Sequence, residues 1–419
     1  MGEVGKIIRR NSKMIGNILN IVVCAFLVLA IMTPTKNYFT VMVGLFVLYV
    51  ILDFGIMKRK KKKMSFSLEI NRNLWYGIGT FFTCLFISAF IAGDIDDIKL
   101  TFSFFKSAIA LVMIAYMIAK NPVTLGSTLA FAGSTVGILA YSTWQILQNP
   151  TMRIDCFYGH PNDFAKMIIS LLPCLIFLAW NAGKKLKIVF LVECILLYVC
   201  LFYTSSRGVI VGEIIGGVVA CVGLIALLRG QTNQKYWTKC VVLIGSLALC
   251  AGVVFLYNIQ SQRTGPGFLS SGERIEMWES SIDMWKDHPL AGVGAAKWNV
   301  AYAATYHKPG IKEMNLGFPH NMFMYFLACF GSIGVAGYIG YLFFTIKGLW
   351  ESAVRYRNSS TTFSLIMLFT AFFIEGCVDN TLNYKLPATL YFISFGYLLM
   401  QYRISKGREK EVMHYDSSK

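Results

Sequence analysis

The chain has 419 residues, of which 56% are hydrophobic and 15% are charged, and its formal net charge is +17. Soluble globular proteins carry about 25% charged residues, so this composition excludes an ordinary soluble domain. The apolar residues are grouped in segments of about 20, the length at which a helix crosses the hydrocarbon core of a bilayer. The sequence therefore predicts an all-α polytopic membrane protein.

About twelve transmembrane helices are predicted on this length criterion. They are residues 15–34, 38–57, 74–92, 101–119, 123–147, 164–181, 187–205, 208–228, 239–257, 319–346, 361–377 and 384–402. A basic stretch before the first segment is similar to the start of a signal peptide. No small-residue cleavage site follows it, so we interpret that segment as an uncleaved anchor.

Basic residues in the loops indicate the orientation. The run KRKKKK at 58–63 and most other loop lysines and arginines fall on one side of the membrane when the spans alternate. Loops rich in lysine and arginine stay in the cytoplasm, so we expect both termini to be cytoplasmic. Topology and attraction to anionic lipids explain the positive charge. Membrane lipids are thus predicted partners, and nucleic acid is not.

The cysteines predict neither a disulfide framework nor a metal site. The chain has 11 cysteines, and nearly all lie inside predicted spans, where they serve as small apolar residues. Cys156 is the exception, in an outer loop, and the sequence contains no C-x-x-C pair.

Three regions follow from the spans. Residues 1–257 carry spans one to nine, residues 258–318 form a large extracytoplasmic loop, and residues 319–419 carry spans ten to twelve and a cytoplasmic tail. Functional residues concentrate in long loops, so we expect this loop to contribute to the active site.

The loop contains a predicted amphipathic helix at 271–287. Ser270 followed by Glu273 is a capping-box pattern, and Pro289 marks the end of the helix. Its apolar face is predicted from helical spacing to consist of Ile275, Trp278, Ile282 and Trp285. We expect this helix to lie on the membrane or over a cavity.

Two arginines are predicted near the outer membrane surface. Arg207 lies in the very short turn between spans seven and eight, and an ionisable residue at membrane depth indicates function by default. Its alternative role is that of a snorkelling arginine at the interface. Arg274 lies one turn from Trp278, a position that suits anion binding or stacking. Its alternative is a solvated helix residue.

Two histidines are also predicted on the outer side. His320 follows a proline at the start of span ten, where it is either a base that titrates near neutral pH or a helix cap. His160 precedes span six in the segment GHPND, and Asn162 or Asp163 is the predicted cap there. Aromatic side chains beside His160 suit a sugar or the membrane interface.

These side chains together indicate one chemistry. Paired arginines bind phosphate groups bidentately, and a neutral histidine can take a proton from a sugar hydroxyl. A diphosphate in the membrane surface attached to an outward-facing sugar is a polyprenyl-diphosphate-linked glycan. No acidic metal cluster is evident in the sequence, so we expect a metal-independent reaction without a cofactor.

Four segments resemble the O-antigen ligase and polysaccharide polymerase (Wzy-type) family. They are SSGERIEMW, HPLAGVG, PHNMFMYFLACFGSIGVAGY and GHPNDFA. Each motif is weakly specific, but their order and spacing, from about residue 155 to residue 345, are those of the family. The large loop between spans nine and ten matches it as well.

The resemblance implies a GT-C-like glycosyltransferase of the bacterial cytoplasmic membrane. It would transfer a glycan from undecaprenyl diphosphate, with inversion at the anomeric carbon, in an extracytoplasmic active site. His320 would act as the base or orient the acceptor, and Arg207 and Arg274 would hold the donor diphosphate. The glutamate inserted before Arg274 makes Arg263 a second candidate for substrate binding.

Further candidate substrate-binding residues lie near these positions, namely His160, Trp278, Asn321 and Asp379. The family contains polymerases and ligases. The main hypothesis is a polymerase that joins lipid-linked repeat units of a capsule, exopolysaccharide or wall polymer. The alternative is a ligase that transfers the polymer to a lipid or protein. Both imply a lipid-linked glycan donor and an acceptor, with flippase and chain-length regulator proteins as further candidate partners.

Two other classes of function remain as hypotheses. A transporter or flippase of lipid-linked sugars predicts ionisable residues deep in several spans, but the spans are mostly free of charge apart from Glu213 and Glu375. A scaffold protein without chemistry would assign no role to His320 and the two arginines.

Overall fold

The computed structural model describes residues 3–32, 38–59, 70–120, 125–227, 271–309 and 316–416. The described residues form helices and no strands. These are α1 (Glu3–Met32), α2 (Tyr38–Arg59), α3 (Arg72–Ala92), α4 (Ile95–Lys120), α5 (Leu125–Gln148), α6 (Pro161–Asn181), α7 (Lys184–Thr204), α8 (Arg207–Leu227), α9 (Ser271–Asp287), α10 (Trp298–Ala301), α11 (Met322–Tyr356), α12 (Ser359–Glu375) and α13 (Lys385–Asp416).

Seven of the described helices are long and apolar enough to cross a membrane, namely α2, α3, α4, α6, α7, α8 and α11. Shorter apolar helices occupy Asn17–Met32 and Ser359–Glu375. These helices confirm the prediction of an all-helical polytopic membrane protein. The count of about twelve spans and the GT-C-like arrangement stay predictions, and predicted span 239–257 lies outside the described residues.

Helix ends differ from the predicted span ends because hydropathy marks the apolar part of a helix and not its full length. Span ten was predicted at 319–346, whereas α11 begins at Met322 and continues to Tyr356. Helix α13 likewise continues beyond predicted span 384–402 into charged sequence. The helix at the outer loop occupies 271–287, as its sequence pattern predicts.

The chain divides into two compact units. The first consists of Met1–Glu69, Ile109–Ser205 and Thr389–Lys419. Helix α6 forms much of its core, because most of the α6 side chains are buried, including that of Lys166. In this unit α6 packs against α7, and α1 packs against α2 and α5.

The second unit consists of Ile70–Ala108 and Ser206–Ala388. Here α3 packs along α11, and α8 packs along α12. A Cβ atom at Gly212 would lie 2.7 Å from the carbonyl oxygen of Ala371, and one at Gly216 would lie 2.8 Å from that of Met367. Glycines four residues apart therefore allow α8 and α12 to approach closely, as small residues do between membrane helices.

A break in α11 holds the outer loop. Gly331 has φ 61° and ψ −160° inside the helix, so carbonyl groups of the preceding turn are available to other partners. Two amides of the loop donate to carbonyls of the helix: Val293 to Ala328 at 2.8 Å and Gly294 to Cys329 at 3.2 Å. Two amides of the helix donate to carbonyls of the loop: Ser332 to Pro289 at 2.8 Å and Ile333 to Leu290 at 3.2 Å. The Ser88 hydroxyl also contacts the Phe330 carbonyl at 3.0 Å. The loop is thus anchored at both sides of the break.

Helix α9 buries a different face from the predicted one. Its buried side chains are Met277, Ser280, Ser281 and Met284, whereas Ile275 is 52% exposed. The serines fit because Ser280 donates to the Tyr306 carbonyl at 2.7 Å and Ser281 to the Met277 carbonyl at 2.9 Å. Small hydroxyl side chains allow the following segment to approach the helix, which the apolar spacing alone does not predict.

The turn between α3 and α4, together with the first turn of α4, also holds the loop. The Asp97 carboxylate is buried and accepts a hydrogen bond from the Ala296 amide at 2.7 Å. Lys297 forms an ion pair with Asp94 at 2.9 Å. This ion pair and its hydrogen bond hold the pKa of Lys297 above its ordinary value.

Asp97→Ala is expected to destabilise this attachment. The substitution leaves the Ala296 amide without its acceptor, which costs about 1–3 kcal/mol. Asp96→Ala is the control, since Asp96 is exposed and its partner is Lys99 on the same helix; such a surface change costs less than about 0.5 kcal/mol. Thermal unfolding of the purified protein measures both, and equal melting temperatures for the two variants would refute the attachment.

Candidate active site

Helix α9 meets the start of α11 through Trp278. Its indole N–H donates a hydrogen bond to the Pro319 carbonyl at 2.9 Å. Seven residues further along α9, Trp285 donates to the Ser332 hydroxyl of α11 at 3.0 Å. The two tryptophans therefore use one side of α9 to fix it along α11, and Pro319 lies next to His320.

The opposite side of α9 is fixed by the segment that follows the short helix α10. A turn of π-helix, Tyr302–Tyr306, leads into Lys308, which pairs with Asp283 at 2.6 Å. Lys308 and Lys286 hold the pKa of Asp283 below its ordinary value, mainly through hydrogen bonds. The Tyr306 hydroxyl donates to Asp287 at 2.8 Å. Contacts on both sides thus restrict the orientation of α9 and of the arginine that it carries.

His320 lies just before α11, in a left-handed backbone conformation with φ 48°. The prediction left open whether His320 caps this helix. The cap is Asn321, whose side-chain oxygen accepts from the Met324 amide at 3.0 Å. The His320 ring is consequently not used for capping, and it lies beside the Phe318 ring with a centroid distance of 4.8 Å.

The His320 ring is paired with a carboxylate. Its Nδ1 atom lies 3.0 Å from Oδ1 of Asp379, whose side chain is 5% exposed while that of His320 is 19% exposed. With Nδ1–H donating to the carboxylate, the neutral ring has its lone pair on Nε2, because each ring nitrogen takes the role that the other leaves. This tautomer suits a general base.

Hydrogen bonds hold the turn that carries Asp379 against the start of α11. The Met322 amide donates to the Gly376 carbonyl at 2.7 Å, and the Asn321 side-chain amide donates to the Cys377 carbonyl at 2.8 Å. The Asp379 carboxylate also accepts from the Asn380 amide at 2.8 Å. Hydrogen bonds between these two segments therefore hold the histidine and the aspartate next to each other.

Arg207 is the first residue of α8, and its side chain is exposed. The next residue, Gly208, touches the turn that carries Asp379, because a Cβ atom there would lie 2.5 Å from the Val378 side chain and against the Glu375 carboxylate. The start of α8 is thus in direct contact with the residues that hold Asp379.

Arg274 is half-buried on α9, one turn before Trp278. Its Nε atom is buried and makes no hydrogen bond to the part of the chain that the structure describes. Because Trp278 contacts the residue before His320, Arg274 lies on the side of α9 that faces the start of α11. A guanidinium that retains donor capacity in this position suits an anion.

The second unit thus brings together the ends of three helices and one turn that carry Arg207, Arg274, His320 and Asp379. Arg263 lies outside the described residues, so its predicted role is untested. Trp278 and Asn321 are present at the site, but their polar groups are used in structural hydrogen bonds. Their predicted substrate contacts, and that of Asp379 with sugar, stay predictions.

His160 lies in the first unit and caps α6. The Asn162 amide donates to His160 Nδ1 at 3.2 Å, so the prediction that Asn162 or Asp163 provides the cap is wrong. With proline at the first helical position, the cap lies two residues before Asn162, the nearer of the two predicted caps. The predicted substrate contact of His160 stays a prediction.

Two polar residues near this cap were missed by the sequence reasoning. Arg153 donates to the Thr204 carbonyl and to the Asn162 side chain, both at 2.7 Å. Lys166 is fully buried in α6. Lys166 lies inside an apolar segment of the sequence. An ionisable residue in such a segment indicates function by default, so the sequence alone could have identified this lysine as a candidate.

Comparison with known proteins supports one family. The family model described as O-antigen ligase matches residues 192–339. Residues 192–339 are thus similar to the O-antigen ligase family. This match confirms the family resemblance, and it includes three of the four motifs; GHPNDFA, at residues 159–165, lies outside it. No curated protein matches the chain.

The matched segment contains Arg207, Arg274 and His320. Asp379 lies beyond residue 339, so the partner of the histidine comes from outside the matched segment. The contacts at the start of α11 therefore join the matched segment to the turn after α12.

Proposed function

We propose that this protein is a membrane glycosyltransferase of the O-antigen ligase type. It transfers a glycan from a polyprenyl-diphosphate donor, undecaprenyl diphosphate in a bacterium, to an acceptor hydroxyl at the outer face of the cytoplasmic membrane. The observation that carries the proposal is the 3.0 Å contact between His320 Nδ1 and the buried Asp379 carboxylate, within a group of helix ends that also carries two arginines.

The reaction consists of one proton transfer and one nucleophilic substitution at the anomeric carbon. His320 Nε2 takes the proton of the acceptor hydroxyl, and the resulting oxygen nucleophile attacks the anomeric carbon from the side opposite the diphosphate. The bond between that carbon and the diphosphate oxygen breaks, so the configuration inverts. Asp379 keeps the ring in the reactive tautomer and stabilises the imidazolium that forms.

The leaving diphosphate gains negative charge as its bond to the sugar breaks. Arg207 and Arg274 would bind its oxygens bidentately, and such donors contribute most when they are held in place before the reaction. The fixed orientation of α9 and the contact of Gly208 with the Asp379 turn support this role. In this proposal the arginines perform the charge neutralisation for which other enzymes use a divalent metal.

The arginines supply the test of the proposal. We expect Arg207→Ala and Arg274→Ala each to lower glycan transfer by about 100-fold or more, the loss typical of one preorganised charge-stabilising group. Arg355→Ala is the matched control, because Arg355 is an exposed arginine near the other end of α11. Transfer is measured in membranes with equal protein levels, from lipid-linked glycan extracted from a strain that lacks the protein. Full activity of both variants would refute the proposal.

The accumulating lipid-linked glycan distinguishes ligase from polymerase. If inactive variants accumulate full-length polymer on the lipid, the reaction is ligation, which the description of the matching family favours. If they accumulate single repeat units, the reaction is the polymerisation expected from the sequence reasoning. Repeat units that stay on the cytoplasmic face would instead indicate the transporter hypothesis.

A further inference from the structure

Glu375 is a buried acidic residue that the proposed mechanism does not use. It is the last residue of α12 and is 2% exposed. Its backbone carbonyl accepts hydrogen bonds from the amides of Val378 and Asp379, both at 2.9 Å. The turn that presents Asp379 to His320 is therefore built on Glu375.

The side chain of Glu375 points the other way, to the beginning of α8. A Cβ atom at Gly208 would overlap its carboxylate, so that carboxylate lies against the first turn of α8, directly after Arg207. A larger residue at position 208 would have to displace the Glu375 carboxylate and the Val378 side chain. The first amide groups of a helix have no partner inside the helix, and the helix dipole is positive at this end. A carboxylate in this position favours the first turn of α8.

We propose that Glu375 is a positioning residue that keeps Arg207 in a fixed position relative to the His320–Asp379 pair. This inference rests on the proposed function. The backbone of Glu375 holds the Asp379 turn through two hydrogen bonds. Its carboxylate packs against the turn of α8 that starts with Arg207. The base and one phosphate-binding arginine are thus attached to the same residue, and a loss of the carboxylate displaces one relative to the other.

Glu375→Gln tests the charge while keeping the size of the side chain. The expected result is a kcat about tenfold lower, with a KM for the lipid-linked donor changed by less than about threefold, because misplacement by about 1 Å costs rate more than binding. Glu375→Asp, which keeps the charge but shortens the side chain, is expected to recover part of the rate. Donor glycan extracted from a strain lacking the protein serves as substrate for the purified full chain.

Glu213→Gln is the matched control. Glu213 is also buried and lies on α8 itself, one turn beyond the contact with Glu375. We expect this variant to retain the wild-type kcat and KM. If Glu375→Gln also has wild-type kinetics, or if its activity falls only in proportion to its folded fraction at the assay temperature, Glu375 has a packing role and the inference is wrong.

Double variants that combine Glu375→Gln with an arginine substitution distinguish a positioning role from a general loss of activity. Glu375→Gln combined with Arg207→Lys is expected to lower kcat by less than the product of the two single effects, since both act on the same turn. Combined with Arg274→Lys, on another helix, the effects should multiply. Multiplication in both pairs would overturn the inference. The proposed function fails on a different result, full activity of Arg207→Ala and Arg274→Ala.

Discussion

His320→Ala is expected to lower the kcat of glycan transfer by about 100- to 10,000-fold, the range that a positioned general base contributes. The acceptor hydroxyl then has no group that takes its proton. Because Asn321 and not His320 caps α11, the substitution removes no hydrogen bond from the helix start. The substitution does leave the buried Asp379 carboxylate without its His320 partner, so we expect a lower melting temperature in a protein that is still folded at the assay temperature. A loss of transfer larger than the loss of folded protein would be chemical.

Asp379→Asn is expected to reduce the rate almost as much. An asparagine can place its amide N–H toward Nδ1, which moves the ring proton to Nε2 and removes the lone pair from the side that faces the acceptor. His288→Ala is the control for both variants, because His288 is an exposed histidine of the same loop. Single-turnover transfer measured with saturating donor reports the chemical step. A fully active Asp379→Asn protein would show that the carboxylate does not set the tautomer.

The sequence predicted most of the helices and the histidine, but not the partner of that histidine. Apolar segments of about 20 residues are a strong signal, and a helix is present at each predicted span within the described residues. Asp379 is 59 positions away from His320 in the chain. A contact of that kind depends on how α11 and α12 pack against each other. Neither hydrophobic periodicity nor a local motif predicts that packing.

Local ambiguity in the sequence was resolved by packing. His320 and Asn321 are both capable of capping α11, and only the structure shows which of them does. The buried face of α9 was predicted from its large apolar residues, yet the neighbouring segment contacts Ser280. In both cases the deciding partner lies on another element. The sequence can therefore indicate which residues belong to the site, but the role of each residue depends on partners from other elements.

The glycines of the motif-bearing segments have a structural role, and Gly331→Ala tests it. Gly331 combines φ 61° with ψ −160°, a backbone region that is essentially restricted to glycine. A Cβ atom would also overlap the backbone of Leu290 and lie 2.7 Å from the Ala291 amide nitrogen. Backbone strain of about 1–3 kcal/mol and overpacking of about 1–3 kcal/mol act together. The variant is therefore expected to lose about 2–6 kcal/mol of stability.

Gly292→Ala is expected to behave in the same way, because Gly292 has φ 69° and a Cβ atom there would lie 2.5 Å from the Cys329 carbonyl carbon. Two controls separate the causes of the loss. Gly93 has φ 74° but nothing within 4 Å of a Cβ atom, so Gly93→Ala reports backbone strain alone, about 1–2 kcal/mol. Gly79→Ala has neither strain nor overlap and is expected to cost nothing.

Thermal unfolding of the four purified variants should then follow the order Gly79→Ala, Gly93→Ala, and lowest the pair Gly292→Ala and Gly331→Ala. Loss of the anchor between the loop and α11 would release α9, and with it Arg274, from the start of α11. Transfer activity is therefore expected to fall in the two anchor variants even below their unfolding temperature. If they unfold together with Gly93→Ala, the two chain segments adjust to an extra methyl group and the anchor does not fix the site.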